Sequence, residues 1–158
     1  MELELVAPHQ RDRVAPLLLA YWKERGLVID EHWVTTYLKK GHATETTTDE
    51  FFCTKQGNTI IGVISLVTDI SGVAEIRDEV APDSETLKAM IAALLGLAQT
   101  RNNRKVYSLA LPENVPVYES LGFVSEGTLR NHFVEGEDVI VMSRFLNTLK
   151  SRNKEKWI

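Results

Sequence analysis

Between positions 87 and 98 the apolar side chains Leu87, Met90, Ile91, Leu94, Leu95 and Ala98 recur every three or four residues. That spacing lays them along one stripe of an α-helix, and the stripe is wide enough to demand an apolar sheet as its partner. Pro82-Asp83-Ser84 stands just before it, and either Asp83 or Ser84 supplies an N-cap. The rest of the chain must therefore provide strands.

It does so in several places. Glu2–Ala7 begins by alternating apolar and charged residues, and Pro8 ends the run. Phe51–Gln56, the turn pair Gly57-Asn58 and Thr59–Thr68 read as a hairpin, and Ser71-Gly72 separates it from a third strand, Val73–Val80. Lys105–Leu111 is a further strand, and Phe123–Gly127 and Asp138–Leu146 are the last two, with Glu135-Gly136 between them. The polar stretch Thr44–Asp49 reads as a loop.

Two early helices precede the hairpin. Val14, Leu17, Leu18, Tyr21 and Trp22 repeat at helical spacing up to Gly26, with Pro16 delaying or kinking the start. The second runs from the cap Asp30 to Gly41, with Trp33, Val34 and Tyr37 on one face. A short helix opens at Pro112 and Glu113 and ends at Gly122. The order is strand, two helices, a three-strand meander, long helix, strand, short helix, two strands. This predicts an α/β fold with a mixed, largely antiparallel sheet flanked by helices.

Composition narrows the function classes. With 158 residues, 44% hydrophobic and 25% charged, the chain suits one folded domain, expected over 1–147, with a basic tail over 148–158. Its 18 basic and 22 acidic side chains leave a formal charge of −4, against the basic excess of a nucleic-acid binder. One cysteine, Cys53, precludes an intrachain disulfide, and a strand position makes it a small core residue rather than a nucleophile. The first residues have neither a basic n-region nor an apolar core, and the apolar run around Met90–Ala98 is far short of the ~20 residues that cross a bilayer. The expectation is a cytoplasmic protein with no membrane partner. His9, His32, His42 and His132 are scattered without metal-ligand spacing, so no metal is expected.

The segment running from Pro112 through Tyr118-Glu119-Ser120-Leu121-Gly122-Phe123 resembles the Tyr-Glu-x-Leu-Gly-Phe signature of the GNAT N-acetyltransferases. Glu126-Gly127-Thr128-Leu129-Arg130-Asn131-His132, with Asp138 and Val141-Met142, is similar to that superfamily's closing hairpin, and the element order matches along almost the whole chain. The resemblance implies a sheet splayed between its fourth and fifth strands, with acetyl-CoA as co-substrate in the gap. It implies transfer of the acetyl group to an amine of a small molecule or protein, and a homodimer is compatible with it. Such transfer needs a base for the ammonium, N–H groups to polarise the thioester, and a proton donor for the departing thiolate. By resemblance the donor is Tyr118, a phenol whose ordinary pKa near ~10 suits a thiolate.

The base by the same resemblance is a glutamate of the fourth strand, Glu79. Regular alternation puts Glu75, Arg77 and Glu79 on one side and Ile76, Asp78 and Val80 on the other, unless a β-bulge shifts them. Trp22, Trp33 and Tyr37 belong to helices that border the acceptor site in the family, with a core role as the plainer reading. His132 is either a groove residue or a surface residue of the hairpin. Arg101, Arg104 and Lys105 mark a solvated helix end.

The co-substrate contacts implied by resemblance fall on Val80, Pro82, Ser84, Glu85, Thr86, Leu87, Lys88 and Asn114. The family carries Arg/Gln-x-x-Gly-x-Gly/Ala there, and its glycines let the backbone approach the pyrophosphate at a helix N-terminus. Here Glu85 stands at the usual arginine and Lys88 and Met90 at the glycines. The acids Asp83 and Glu85 stabilise the helix start, but they repel a pyrophosphate and the larger side chains crowd it. Two functions stay open: an acetyl-CoA-dependent N-acetyltransferase, or a non-catalytic ligand- or partner-binding module of the same fold that has lost tight CoA binding.

Overall fold

The computed structural model describes residues 1–146, so the basic tail lies outside the described residues. Strand β1 (Glu4–Val6) leads through a 3-10 turn, Pro8–Val14, into α1 (Ala15–Glu24) and α2 (Glu31–Lys40). The meander follows as β2 (Thr47–Gln56), β3 (Thr59–Asp69) and β4 (Val73–Val80), then α3 (Ser84–Thr100) and β5 (Lys105–Ala110). A 3-10 turn, Pro112–Asn114, precedes α4 (Val115–Ser120), and β6 (Val124–Leu129) and β7 (Val139–Phe145) close the chain.

The seven strands form one sheet in the order β1-β2-β3-β4-β5-β7-β6. Every pairing is antiparallel except β4 with β5, which is parallel. Of the two alternatives for the first helix the late start holds, and one other element differs from the sequence expectation. Pro16 lies in the first turn of α1, where its missing N–H costs nothing, so the helix starts late, at Ala15. Thr47–Asp49 is not loop: it extends β2 by pairing with Asp69, Thr68 and Val67 of β3, as β-branched threonines readily do.

The sheet separates two cores, because adjacent residues of a strand face opposite ways. Phe51 packs with Val14, Leu18, Val34 and Leu38 on the α1–α2 side, whereas Phe52 packs with Leu87, Met90, Ile91 and Leu94 on the α3 side. The predicted stripe is thus the buried face of α3. At Gly62 a Cβ would come within 2.8 Å of Met90 Sδ, so the glycine lets this helix lie close on β3.

Two of the helices, α2 and α3, start on a side-chain cap. Asp30 accepts from the Trp33 N–H at 2.8 Å, and Asp83 from the Thr86 N–H at 2.7 Å. Gly41 ends α2 at φ +58, where a Cβ would strike Asp49 and Arg11. That turn lets the His42 N–H reach Asp49 Oδ2 at 2.6 Å, while Arg11 holds Asp49 Oδ1 at 3.0 Å. At the end of α4, Gly122 takes φ +85, and the Phe123 N–H returns to the Tyr118 carbonyl at 3.1 Å. The Phe123 ring then meets Tyr118 edge-on, centroids 5.0 Å apart. This explains why a tyrosine, a glycine and a phenylalanine occur at that spacing: the glycine turns the chain so that the two rings pack.

Candidate active site

β4 and β5 pair only from Val73–Ile76 to Lys105–Ser108. β4 then continues to Val80 while β5 stays with β7 as far as Ala110, so the two strands part beyond Ile76. The cause is visible in the register. Ser65 of β3 faces Arg77 and Val63 faces Val80, so β4 carries one residue more than its partner. Asp78 sits in this bulge at φ +54, a backbone region costly for most side chains and tolerated by aspartate.

The bulge corrects the regular alternation expected for this strand. Ile76 belongs to the α3 core but Val80 to the α1–α2 core, so the facing reverses between them. Asp78 therefore turns towards α2, where the Tyr37 hydroxyl donates to its carboxylate at 2.9 and 3.0 Å and the Ser65 hydroxyl donates at 3.2 Å. Glu79 turns towards β5 and α4. Its Oε1 lies 3.2 Å from Tyr118 Oη, which is itself 3.0 Å from Ser108 Oγ. Glu75 and Arg77 remain together as an ion pair at 3.2 Å.

Tyr118 and Glu79, far apart in sequence, thus meet where the strands separate. Loss of water around Glu79 pushes its carboxyl up to about 7, with the neighbouring Asp78 adding to the rise. Tyr118 is fully buried, and burial together with the Glu79 charge pushes its phenol well above the ordinary range. The expectation of an unperturbed phenol is therefore wrong. Tyr118 holds its proton too tightly to be a strong donor by itself. The Glu79 carboxyl is the stronger acid of the pair and can replace a phenol proton as that proton departs.

Both carboxylates line a cleft of about 260 Å³ on the α1–α2 side of the sheet. Tyr21, Trp22 and Tyr37 supply aromatic wall from the two helices, and Phe133 and Val134 supply wall from the β6–β7 connection. Trp22 and Tyr37 meet edge-on at 5.2 Å, and Trp33, 47% exposed, stacks outside on Tyr37 at 5.4 Å. Trp22 and Tyr37 therefore fill both expected roles, packing against the α1–α2 core and lining the cleft, while Trp33 covers Tyr37 from outside. Arg25 closes one end, donating to Glu113 at 2.8 Å and to Glu137 at 2.6 Å, which ties α1 to both the α4 turn and the hairpin. His132 is exposed beside Phe133 and does not line the cleft.

The expected co-substrate residues divide. Val80 and Leu87 are buried in the two cores, whereas Pro82, Ser84, Glu85 and Lys88 are exposed and Thr86 and Asn114 half-buried. Met90 does not crowd the helix start, because its side chain is wholly inside. The opposing feature is Asp83, whose carboxylate already takes the Thr86 N–H that an anion would use. With that N–H already taken and an acid at the cap, the α3 start is a poor cradle for an anion.

Sequence reasoning missed Asp78, Ser108 and Ser65 as site residues, and gave His42 no role. Only the bulge, which no local motif announces, brings Asp78 to Tyr37, 41 positions away. Cys53 is buried, as expected of a core residue. Arg101, Arg104 and Lys105 are not simply solvated: Arg101 pairs with Glu50, Arg104 donates to the Ser71 carbonyl, and Lys105 pairs with Glu126. Among the described residues no group of three or more metal-ligating side chains could hold an ion, and no helix is long and apolar enough to cross a membrane.

No family model matches the sequence, and no curated protein matches it. Solved structures do. An aminoglycoside 6'-acetyltransferase type Ii superposes with a TM-score of 0.70 at 15% identity, covering 92% of this chain and 97% of that one. A chimeric spermidine N-acetyltransferase from Vibrio cholerae gives 0.71 at 20% identity over 92% and 96%. A ribosomal-protein-alanine N-acetyltransferase from Brucella melitensis gives 0.65 at 16% identity over 92% and 100%. At these identities the likeness is one of fold.

Proposed function

We infer that this chain, which has the fold of the GNAT acetyltransferases, is itself an N-acetyltransferase, moving an acetyl group from acetyl-CoA to an amine of a small molecule or protein. The observation that carries this reading is the contact of Glu79, Tyr118 and Ser108 at the mouth of the parting strands. A structural role for Tyr118 alone would not call for a carboxyl poised near neutrality beside its hydroxyl.

In this mechanism the cleft receives the acceptor as an ammonium, attracted by Asp78 and Glu79 and flanked by Trp22 and Tyr37. Glu79 accepts a proton from it, leaving a nucleophilic amine. The edge of β4 beyond Ile76, released from β5, turns backbone N–H groups towards the thioester carbonyl. Tyr118 protonates the leaving thiolate and recovers its proton from Glu79. The amines named for the structural neighbours (aminoglycoside, spermidine and protein α-amine) set the range of acceptors to try.

A second reading, a ligand-binding module without acetyl transfer, is favoured by one observation: the acidic cap at the start of α3. Calorimetric titration with acetyl-CoA separates the two. The enzyme reading expects saturable binding at one site, with Kd in the upper micromolar range because the helix start contributes little. Absence of binding at millimolar acetyl-CoA favours the module.

A further inference from the structure

Acetyl transfer to an ammonium leaves one proton over. The nitrogen gives up two protons as the C–N bond forms and the C–S bond breaks with its electron pair going to sulfur; one proton returns to the thiolate, and the other must reach water. The Glu79–Tyr118 pair accounts for the first. Apart from Glu79, whose carboxyl faces the cleft that the acceptor occupies, nothing in it leads outward, since Tyr118 is fully buried and Ser108 lies behind it, also fully buried.

The neighbouring carboxylate has a different environment. Tyr37 Oη, which donates to both oxygens of Asp78, also lies 2.9 Å from His42 Nε2. As the single phenolic hydrogen is directed at the carboxylate, the imidazole Nε2–H donates to Tyr37. The other ring nitrogen, Nδ1, has no partner among the described residues and is not among the buried unpartnered atoms, so it meets water. The imidazole is held there by two backbone ties: the His42 N–H on Asp49 at 2.6 Å, and the Thr47 hydroxyl on the His42 carbonyl at 2.8 Å.

We propose that Asp78, Tyr37 and His42 form the proton outlet of the cleft, taking the surplus proton from the acceptor nitrogen and delivering it to solvent at the His42 ring. In the outward step the ring, exchanged through solvent to its Nδ1–H tautomer, has Nε2 free. Asp78 gives its proton to Tyr37 Oη, and Tyr37 turns its own hydrogen to Nε2. The imidazolium so formed releases its Nδ1 proton to water, which restores the Nε2–H ring. The bulge has a role in this division. By reversing the facing of two consecutive residues, it gives each proton its own carboxylate and its own tyrosine. The inference rests on the acetyltransfer reading for its chemistry, and on geometry alone for the chain itself.

Two measurements test it. The first is a double-mutant cycle read by ¹⁵N NMR at His42 in the whole protein without ligand. Asp78→Asn, which keeps a residue tolerant of positive φ, should lower the His42 midpoint by about half a unit or more. In a Tyr37→Phe background the same change should have less than half that effect. His42 also faces Glu75, Arg77 and Asp49, the last paired with Arg11, and these charges are common to every arm of the cycle. Equal shifts in both backgrounds would mean coupling through space only and would overturn the relay.

The second is turnover of acetyl-CoA with spermidine and with kanamycin as probe amines. Tyr37→Phe should lower kcat at least about tenfold while leaving KM for acetyl-CoA unchanged, and free imidazole should restore part of the activity lost in His42→Ala. Full kcat in Tyr37→Phe from about pH 6 to 9 would overturn the outlet while the acetyltransfer reading stands. No turnover by the unaltered protein would sink the acetyltransfer reading and the outlet's role with it, whatever the NMR cycle says of the chain.

Discussion

At the scale of single residues, Glu79 is the most exposed to test. Its carboxyl is raised to about 7 from an ordinary 4.5 because folding removes water from it. The folded state therefore binds the proton more tightly than the unfolded chain does. The stabilisation this gives is complete below about pH 4.5 and is lost as pH rises through about 7. Glu79→Gln should thus remove about 2 kcal/mol of the stability lost between pH 5 and 8, as read by urea unfolding at both values. If acetyl transfer requires the ionised carboxylate, kcat/KM should rise with pH to a plateau above about 7. Tyr118→Phe should cut kcat by about a hundredfold at that plateau with little change in KM. An unchanged rate would remove Tyr118 from the chemistry and leave it as the residue against which Phe123 packs. Tyr118 was legible in sequence because its helix, glycine and phenylalanine lie close together in the chain. Its raised phenol was not legible, since burial depends on Ser108 and Glu79 from other strands.

The elements most informative here are β4 and α3. The meander, both early helices and the α3 stripe followed from periodicity, since a stripe must be buried and a two-residue turn must join antiparallel strands. Periodicity could not show that β4 carries an extra residue. Glu75, Arg77 and Glu79 alternate regularly in the sequence, and the reversal at Asp78 depends on how β3 pairs with it. The same limit applied to Thr47–Asp49, whose polar residues looked like loop until β3 offered a partner strand. At α3 the sequence was more explicit. Asp83 caps the helix through the Thr86 N–H, and Glu85 is exposed in the first turn. If acetyl-CoA lies across this helix start, Glu85→Arg should tighten its binding about tenfold, equivalent to about 1.4 kcal/mol. The gain should shrink with added salt. An affinity unchanged by this reversal of charge would mean that the pyrophosphate lies elsewhere.

For the whole molecule, the fold and the chemistry stand on different supports. The sheet order, the parting of β4 and β5 and the superposition on three acetyltransferases establish the architecture. The acetyltransfer reading depends on what the cleft contains: two consecutive carboxylates facing opposite ways, a tyrosine on each, and an aromatic wall open to an amine. Against it stands the acidic α3 start, which would weaken the anchoring of a CoA pyrophosphate placed there. These features together predict a weakly binding but competent enzyme. The most direct test is release of free thiol from acetyl-CoA by the unaltered protein, followed with and without a panel of primary amines at millimolar acetyl-CoA. Release that depends on both the protein and an amine, matched by formation of the acetylated amine, is the predicted result. Thiol release at the uncatalysed rate with every amine, under conditions where the protein remains folded, would contradict it.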